Sequence, residues 1–466
     1  MKYTNNKLVE FEEWIKNKNV AVIGLGVSNI PLIKYLHNKK ANVSIFNDKE
    51  IDKIDEKIVN EIKEYNFKYF GGEDYLSNLK GFDIIFRAPS CMPTKKELLE
   101  ESARGAIVTT EIEMLMKLAP CKIIGITGSD GKTTTTSLID KILKDAGYKT
   151  FLGGNIGTPL FTKLSEMKPN DILVLELSSF QLMHMTISPN ISVITNITPN
   201  HLNIHKDYEE YIEAKKNVIK YQNKDDVAIL NYDNEITRKC GKEVKGKRIY
   251  FSSKTQLEDG FIVEDRKVKQ CIDGIRKHIL NTEDVILRGN HNFENIATAI
   301  AATSTLVDIE EAAESVKTFK PVEHRLEYIR EIDGVKWYND SVSSSPTRTI
   351  AGLNSFDEDI VLIAGGYDKN LDYTPIAKPI LDHVKTLILL GQTSDKIYEA
   401  VTGEAKKQSK EINIYRCTTL QETVETAKAK AKKGEIILFS PASASFDLFK
   451  NFADRGNQFK ELVNKI

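Results

Sequence analysis

The sequence predicts an α/β protein built mainly on parallel sheets, and three observations predict it. An apolar run at 20–23 enters Gly24-Leu25-Gly26. A helical pattern follows through Leu32, Ile33 and Leu36, and a second strand at 42–46 ends at Asp48, which makes a βαβ unit. A second apolar run, 121–126, feeds the glycine turn 125–134, and then a helical pattern through Leu138, Ile139, Ile142, Leu143 and Ala146. In the last third, strand patterns at 335–338, 360–363, 386–390 and 435–439 alternate with helices, among them an Ala/Lys-rich one at 419–433.

The chain has 466 residues, more than one core organises, so two to four domains are expected. Hydrophobic residues make up 41% and charged residues 28%, the balance of a soluble globular protein. A net charge of −1 gives nucleic acid or an anionic membrane no electrostatic handle. The five cysteines (Cys91, Cys121, Cys240, Cys271, Cys417) are scattered, odd in number and without a CxxC pair. That argues against a disulfide framework or zinc knuckle and fits a reducing cytoplasm. Residues 1–13 are polar and acidic, unlike a signal peptide, and no apolar run reaches the length of a membrane span.

Taken in order, the first glycine turn holds Gly24 and Gly26, but Asn29 occupies the third glycine position of a dinucleotide fingerprint. A nucleotide or UDP-sugar, NAD and a purely structural turn all remain open there. A third strand, 83–86, ends at Arg87, and 109–120 reads as a helix and connection out of the first domain. In the next turn, Gly128, Ser129, Asp130 and Gly131 form a phosphate cradle at a helix N-terminus. Lys132 would reach the terminal phosphates and the Thr133 hydroxyl a magnesium ion, with Thr134 beside them. Ile126 stands where the usual pattern has its first glycine, so this is a short variant of the loop.

The segment 153–159 is too glycine-rich for a regular element. A buried strand at 171–175 ends in Glu176, placed either to hold magnesium or as a solvated strand end. A strand at 191–197 leads to His201 and His205, of which His201 is the functional candidate. A helix through Tyr211, Lys215 and Val218 and strands at 226–232 and 248–251 follow. The stretch 239–281 reads as charged and irregular. Asn292 and Asn295, one turn apart at the start of an alanine-rich helix, either contact a nucleotide base or cap the helix. A linker at 319–321 precedes the last α/β segment. Its strands end in loops around Asp340, Lys369, Gly391 and Ser445, at the edge where such sheets bind ligands.

Several motifs occur together and in order: the short loop with Lys132, Glu176-Leu177-Ser178-Ser179-Phe180-Gln181, the 196–201 segment, His291-Asn292 with Asn295, His324-Arg325, and the closing run 440–456. Over essentially its full length the chain resembles the Mur ligases, ATP-dependent amide-forming enzymes of peptidoglycan assembly. The resemblance implies three domains: a Rossmann-like UDP-sugar domain (1–112), a central P-loop ATPase domain (113–321) and a Rossmann-like amino-acid domain (322–466). It implies ATP, two magnesium ions, UDP-N-acetylmuramoyl-L-alanine and D-glutamate as ligands, an acyl-phosphate intermediate, and a cytoplasmic monomer without nucleic-acid or membrane partners.

Residue by residue, the resemblance makes Thr133, Glu176 and His201 metal ligands, and Lys215 a carbamylated lysine at the second metal. Lys132, His201 and Lys215 become the catalytic set. Asn292, Asn295, Arg325 and Asp340 fall around the nucleotide. Val27, Ser28, Asp48, Asn155, Ser178 and Gln181 fall along the UDP-sugar, and Lys369, Ser445 and Phe452 at D-glutamate. The chain also departs from the pattern. Asp130 stands where Asn is commoner, and Asn200 and Asn203 stand where Asp is common. Val342 replaces a lysine that pairs with D-glutamate in some members, and Ser344 replaces a threonine. The alternatives, an NAD-dependent oxidoreductase and a nucleotide-switched binding protein, do not account for this set; the first leaves Lys132 without a task.

Overall fold

The computed structural model describes residues 3–199, 204–320 and 322–466. They build three sheets. The first takes β1 (Asn19–Ile23), β2 (Asn42–Asn47), β3 (Lys68–Gly71), β4 (Ile84–Arg87) and β5 (Ile107–Thr109) in the order β3-β2-β1-β4-β5, every pairing parallel. Strand order reverses at β1, which opens a crevice at the carboxyl ends of β1 and β4.

The second sheet holds β6 (Lys122–Thr127), β7 (Thr150–Gly154), β8 (Ile172–Glu176), β9 (Ile191–Ile194), β10 (Val227–Asn231), β11 (Lys247–Ser252), β12 (Gly260–Glu264), β13 (Lys267–Ile272) and β14 (Ile275–Asn281). Its order is β14-β13-β12-β11-β10-β9-β6-β8-β7, parallel from β7 to β12 and antiparallel through β13 and β14. The third is β15 (Glu327–Ile332), β16 (Val335–Asn339), β17 (Ile360–Ala364), β18 (Val384–Leu390), β19 (Asn413–Cys417) and β20 (Ile436–Phe439). It runs β15-β16-β20-β17-β18-β19, parallel except for β15.

The chain forms two compact units. One comprises Met1–Thr282 and Glu294–Val316, the other Glu283–Phe293 and Lys317–Ile466. The first two sheets share a unit because they share a core: Val22, Leu32 and Phe86 belong to the same buried cluster as Leu115, Phe161 and Leu173. The Phe161 ring meets Tyr35 edge-on at 5.3 Å, and Asn5 Nδ2 donates to the Leu118 carbonyl at 3.0 Å. In the second unit alternate residues face opposite layers. Leu362 and Ala364 lie in one buried cluster, Val361 and Ile363 in the other. This is why those strands read as unbroken apolar runs.

Four expectations need correction. Gly153 and Gly154 are regular: they end the edge strand β7, paired with Leu175 and Glu176. The stretch 239–281 contains β12, β13 and β14. Few of their residues are buried (Phe261 and Ile262 in β12, Val268 and Cys271 in β13), most of β14 is exposed, and a register shift at Val268/Lys269 breaks the alternation, so no period of two shows in the sequence. The strand expected at 191–197 stops at Ile194, and the next side chains turn to the phosphate loop. The short strands β3, β5, β15 and β19 were not expected; they are edge strands or their neighbours with mixed polarity. Among the described residues no helix is long and apolar enough to cross a membrane, and all five cysteines are buried and unbridged.

Candidate active site

The glycine turn joins β6 to the helix Lys132–Asp145. Gly128 has φ +148°, and a Cβ there would lie 1.9 Å from Thr195 Oγ1. Gly131 caps the helix in the left-handed region at φ +82°, with Asn295 Oδ1 where a Cβ would stand. The backbone after β9 grips the loop. Ser129 N–H donates to the Asn196 carbonyl at 2.8 Å, and Asp130 N–H to Asn196 Oδ1 at 3.0 Å. Thr195 Oγ1 and Asn196 Nδ2 both donate to the Asp130 carbonyl. With Ser129 and Asp130 N–H engaged in this way, the first helical turn from Gly131 to Thr134 is left to present donors to an anion.

Two amines converge beneath the loop. Lys132 Nζ donates to the carbonyls of Gly128 (2.8 Å) and Ser129 (3.0 Å). Lys215 Nζ donates to the same Gly128 carbonyl at 2.8 Å and to Thr127 Oγ1 at 3.3 Å, and it lies 4.8 Å from the Tyr211 ring centroid. Lys215 belongs to the helix Tyr208–Lys220 and is only 1% exposed. Burial, then the nearby Lys132 cation, pushes its amine well below the ordinary lysine range, against the pull of Asp130 and Glu176.

At the end of β8, buried Glu176 is held by two partners. Thr133 Oγ1 donates to its Oε2 at 2.7 Å, and Asn155 Nδ2 to its Oε1 at 2.9 Å. Asn155 N–H also donates to the Glu176 carbonyl at 2.8 Å. The turn that delivers Asn155 requires Gly154, whose φ is +94° and whose Cβ would meet that carbonyl at 2.2 Å. A hydroxyl and a carboxylate so close form a hard-oxygen donor pair that fits magnesium. The Thr134 hydroxyl is buried without a hydrogen-bond partner among the described residues. Asn295, also buried, accepts from Thr135 Oγ1 at 3.2 Å and so reaches the loop. His201 lies outside the described residues, as do Asn200 and Asn203. His205, set aside on the sequence, is buried between Ser179 Oγ (2.9 Å from Nε2) and Glu210 Oε2 (3.3 Å from Nδ1), and burial lowers its pKa.

The residues expected along the UDP-sugar are dispersed. Ser178 and Gln181 close a capping box on the short helix Ser179–Leu182, each bonding the other's side chain or backbone. Val27 and Asp48 are exposed and Ser28 half-buried, at the carboxyl ends of β1 and β2. Sequence reasoning missed what Asn29 does: its amide donates to the carbonyls of Ile23 (3.0 Å) and Gly24 (2.9 Å), holding the first glycine turn shut. It also missed Arg87, whose buried guanidinium joins the Cys91 carbonyl to that of Met183.

In the second unit Asp340 is buried; it accepts from Ser440 Oγ at 2.7 Å and Leu326 N–H at 3.2 Å, and burial pushes its carboxyl up. Arg325 is half-buried and acts on Asp340 electrostatically. Asn292, inside the helix Asn290–Thr303, donates its Nδ2 to the Arg288 carbonyl at 2.7 Å. Lys369 Nζ stands 5.5 Å from the Phe446 ring centroid, Ser445 is buried, and the Phe452 ring is nearly half exposed beside His324.

The organiser of these loops is Arg455, which belongs to the closing run 440–456 and had no role assigned to it on the sequence. Its Nε donates to Ser341 Oγ, Nη2 to the Ser341 carbonyl, and Nη1 to the carbonyls of Ser443 and Ala444, at 2.7–3.1 Å. Burial lowers its pKa to about 10, opposed by Asp447 and Asp340. Its signal in the sequence was its place at the end of that closing run, just before Gly456, which lets His324 approach.

The chain is similar to known proteins over its length. Residues 126–303 match the family model for the Mur ligase middle domain, and 324–443 that for the Mur ligase glutamate ligase domain. The chain is 48% identical to the UDP-N-acetylmuramoylalanine–D-glutamate ligase of Acetivibrio thermocellus over 468 positions, 99% of each chain. It is 48% identical to the enzyme of that name from Clostridium novyi over 466 positions, 100% of each. The solved UDP-N-acetylmuramate-alanine ligase MurC of Thermotoga maritima superposes with a TM-score of 0.60 over 96% of this chain and 99% of that one. At 16% identity this likeness speaks to the fold.

Proposed function

This chain belongs to the Mur ligase family, and on that premise we propose that it joins D-glutamate to UDP-N-acetylmuramoyl-L-alanine with conversion of ATP to ADP and phosphate, in the cytoplasm. The observation that carries the reading is the meeting of Lys132, Lys215, Thr133 and Glu176 around one glycine turn. The reaction brings together ATP phosphates, a substrate carboxylate and an acidic amino acid, so its barrier is dominated by crowded negative charge.

Residues 1–112 would hold the UDP-sugar, with Val27, Ser28 and Asp48 at the crevice, and Asn155, Ser178 and Gln181 would lie along the muramoyl arm. The central domain (113–321) would take the ATP phosphates on Gly128 to Thr134, and Asn292, Asn295, Arg325 and Asp340 the rest of the nucleotide. Lys132 leaves its loop carbonyls to bind the phosphate in flight. The substrate carboxylate attacks the terminal phosphorus, its oxygen forming a bond as ADP leaves. The D-glutamate nitrogen, held from the third domain (322–466) by Lys369, Ser445 and Phe452, then attacks the acyl carbon. The nitrogen loses a proton and phosphate departs.

Thr133 and Glu176 would hold the first magnesium, His201 and Lys215 the second; the metal supplies charge neutralisation and alignment. Lys215 would serve as a carbamate. Burial disfavours the protonated form of the Lys215 amine, and the unprotonated form is the one that adds to carbon dioxide, its lone pair making the N–C bond as a proton leaves.

The test is phosphate release with ATP, magnesium, UDP-N-acetylmuramoyl-L-alanine and D-glutamate. Turnover requires all four. Lys132→Ala abolishes it while the protein still binds the UDP-sugar. Phosphate released equally without D-glutamate, or none with it, overturns the reading.

A further inference from the structure

A UDP-sugar held as proposed above spans two sheets, with its nucleotide at the crevice of the first and its muramoyl arm along the second. One side chain ties the two. Arg87 ends β4, at the edge where the crevice opens, and is 3% exposed. Its Nη1 donates to the Cys91 carbonyl at 3.2 Å, in the loop that follows β4. Its Nη2 donates to the Met183 carbonyl at 2.7 Å, 96 residues on and just past the short helix Ser179–Leu182. Its acceptors among the described residues are these two main-chain carbonyls, with no carboxylate.

Both ends of the tie are stiff. On the crevice side, Cys91 N–H donates to the Ala88 carbonyl at 3.0 Å, and Ala88 N–H to the Ile23 carbonyl at 2.9 Å. Ala88 also packs against the first glycine turn, its Cβ 2.8 Å from where a Cβ on Gly24 would stand. On the other side, Met183 N–H donates to the Ser179 carbonyl at 2.9 Å, and Leu182 N–H to that of Ser178 at 3.1 Å. Asn217 Nδ2, two residues past Lys215 on the same helix, donates to the Leu182 carbonyl at 2.9 Å. Glu113 Oε1 accepts from Thr186 N–H at 3.1 Å and from Thr186 Oγ1 at 2.6 Å. A shift of Met183 therefore carries Ser178 and Gln181 with it.

A buried guanidinium held by carbonyls contributes little to stability once its desolvation is counted, but its planar fork fixes both acceptors at once. We propose that Arg87 is a positioning residue that sets the register between the crevice of the first sheet and the helix bearing Ser178 and Gln181, so that a substrate spanning both presents its carboxylate at the phosphate loop. The inference rests on the ligase reading above. Arg87 acts through the two segments it ties and makes no contact with the substrate. A misplacement of about 1 Å at the reacting end is enough to cost about 100-fold in rate.

The test compares a ligand that spans the tie with one that does not. UDP fills the crevice alone, whereas UDP-N-acetylmuramoyl-L-alanine reaches across. In the full-length enzyme Arg87→Gln, whose single amide cannot fork to both carbonyls, lowers kcat/KM for the UDP-sugar by about 10- to 100-fold. The Kd for UDP, from titration calorimetry, and the KM values for ATP and D-glutamate stay within about threefold of wild type. Arg87→Lys keeps the charge without the fork and shows the same split, at least about fivefold in size. Thermal melting verifies folding, and the unchanged UDP and ATP constants show that each site is intact by itself.

A kcat/KM for the UDP-sugar within about threefold of wild type in folded Arg87→Gln or Arg87→Lys enzyme overturns the inference. A Kd for UDP that rises by the same factor as kcat/KM falls also overturns it, placing the effect of Arg87 inside the crevice. A wild-type enzyme that releases no phosphate with all its substrates present overturns the ligase reading itself, and this inference with it.

Discussion

The Thr133 hydroxyl donates to Glu176 Oε2 at 2.7 Å, joining the first turn of one helix to the end of a buried strand 43 residues on. The bond fixes the carboxylate beside the phosphate loop, and Asn155 fixes its other oxygen. Both partners are neutral, so the charge on Glu176 stays available to a cation. Glu176→Gln keeps the shape and removes that charge. The expected outcome is a loss of turnover of at least about 100-fold, with unfolding stability within about 1 kcal/mol of wild type. Phosphate release and urea unfolding measure the two. A variant within threefold of wild-type turnover would remove Glu176 from the metal site.

Gly154 is the backbone counterpart of that arrangement. At φ +94°, with a Cβ position 2.2 Å from the Glu176 carbonyl, it cannot accept a side chain without moving β7 or β8. Gly154→Ala is expected to cost about 2–4 kcal/mol, and to depress turnover through the displaced Glu176 and Asn155. Gly26→Ala is the control: no atom lies within 4 Å of the added methyl, and the expected change is about 0.5 kcal/mol or less. Equal urea midpoints for the two variants would contradict the packing argument.

Glu111 gives stability a pH dependence. It opens the helix Glu111–Leu118 with Oε1 buried and unpartnered among the described residues. Burial raises its pKa from 4.5 to about 7, against a backbone hydrogen bond from Phe161. Between those values the folded chain holds a proton that the unfolded chain has lost, so stability falls as pH rises through the window. The full loss is about 3 kcal/mol above pH 7. Glu111→Gln removes it: the variant gains on wild type between pH 5 and pH 8 by up to that amount, read from urea midpoints. Parallel pH profiles for the two proteins would show that Glu111 stays ionised in the fold.

The parts of this molecule legible in the sequence are those whose signal is local. Lys132 and Thr133 could be placed because a strand, a glycine turn and a helix N-terminus are consecutive in the chain, and Glu176 because an apolar strand runs directly into it. The inner strands of the third sheet, β17, β18 and β20, were readable because burial on both faces makes them largely apolar, whereas its edge strands β15 and β19 were not. β12 to β14 were not, because they are only partly buried and charged residues interrupt each of them.

By itself, then, the sequence determined the α/β class, the phosphate loop and the order of its motifs, since each depends on neighbours along the chain. Only the tertiary structure decided where Lys215 lies and what Asn29 and Arg455 hold in place. A lysine in a polar helix reads as solvated, yet packing beneath Gly128 buries Lys215 and favours its neutral form. Asn29 reads as a failed glycine, yet it closes two strand-end carbonyls. Arg455 acquires its role by burial among carbonyls contributed by loops more than 100 residues apart in the chain. In each case the deciding quantity is desolvation of a polar group together with the partners that offset it. That is a property of three-dimensional neighbours, which sequence spacing does not carry.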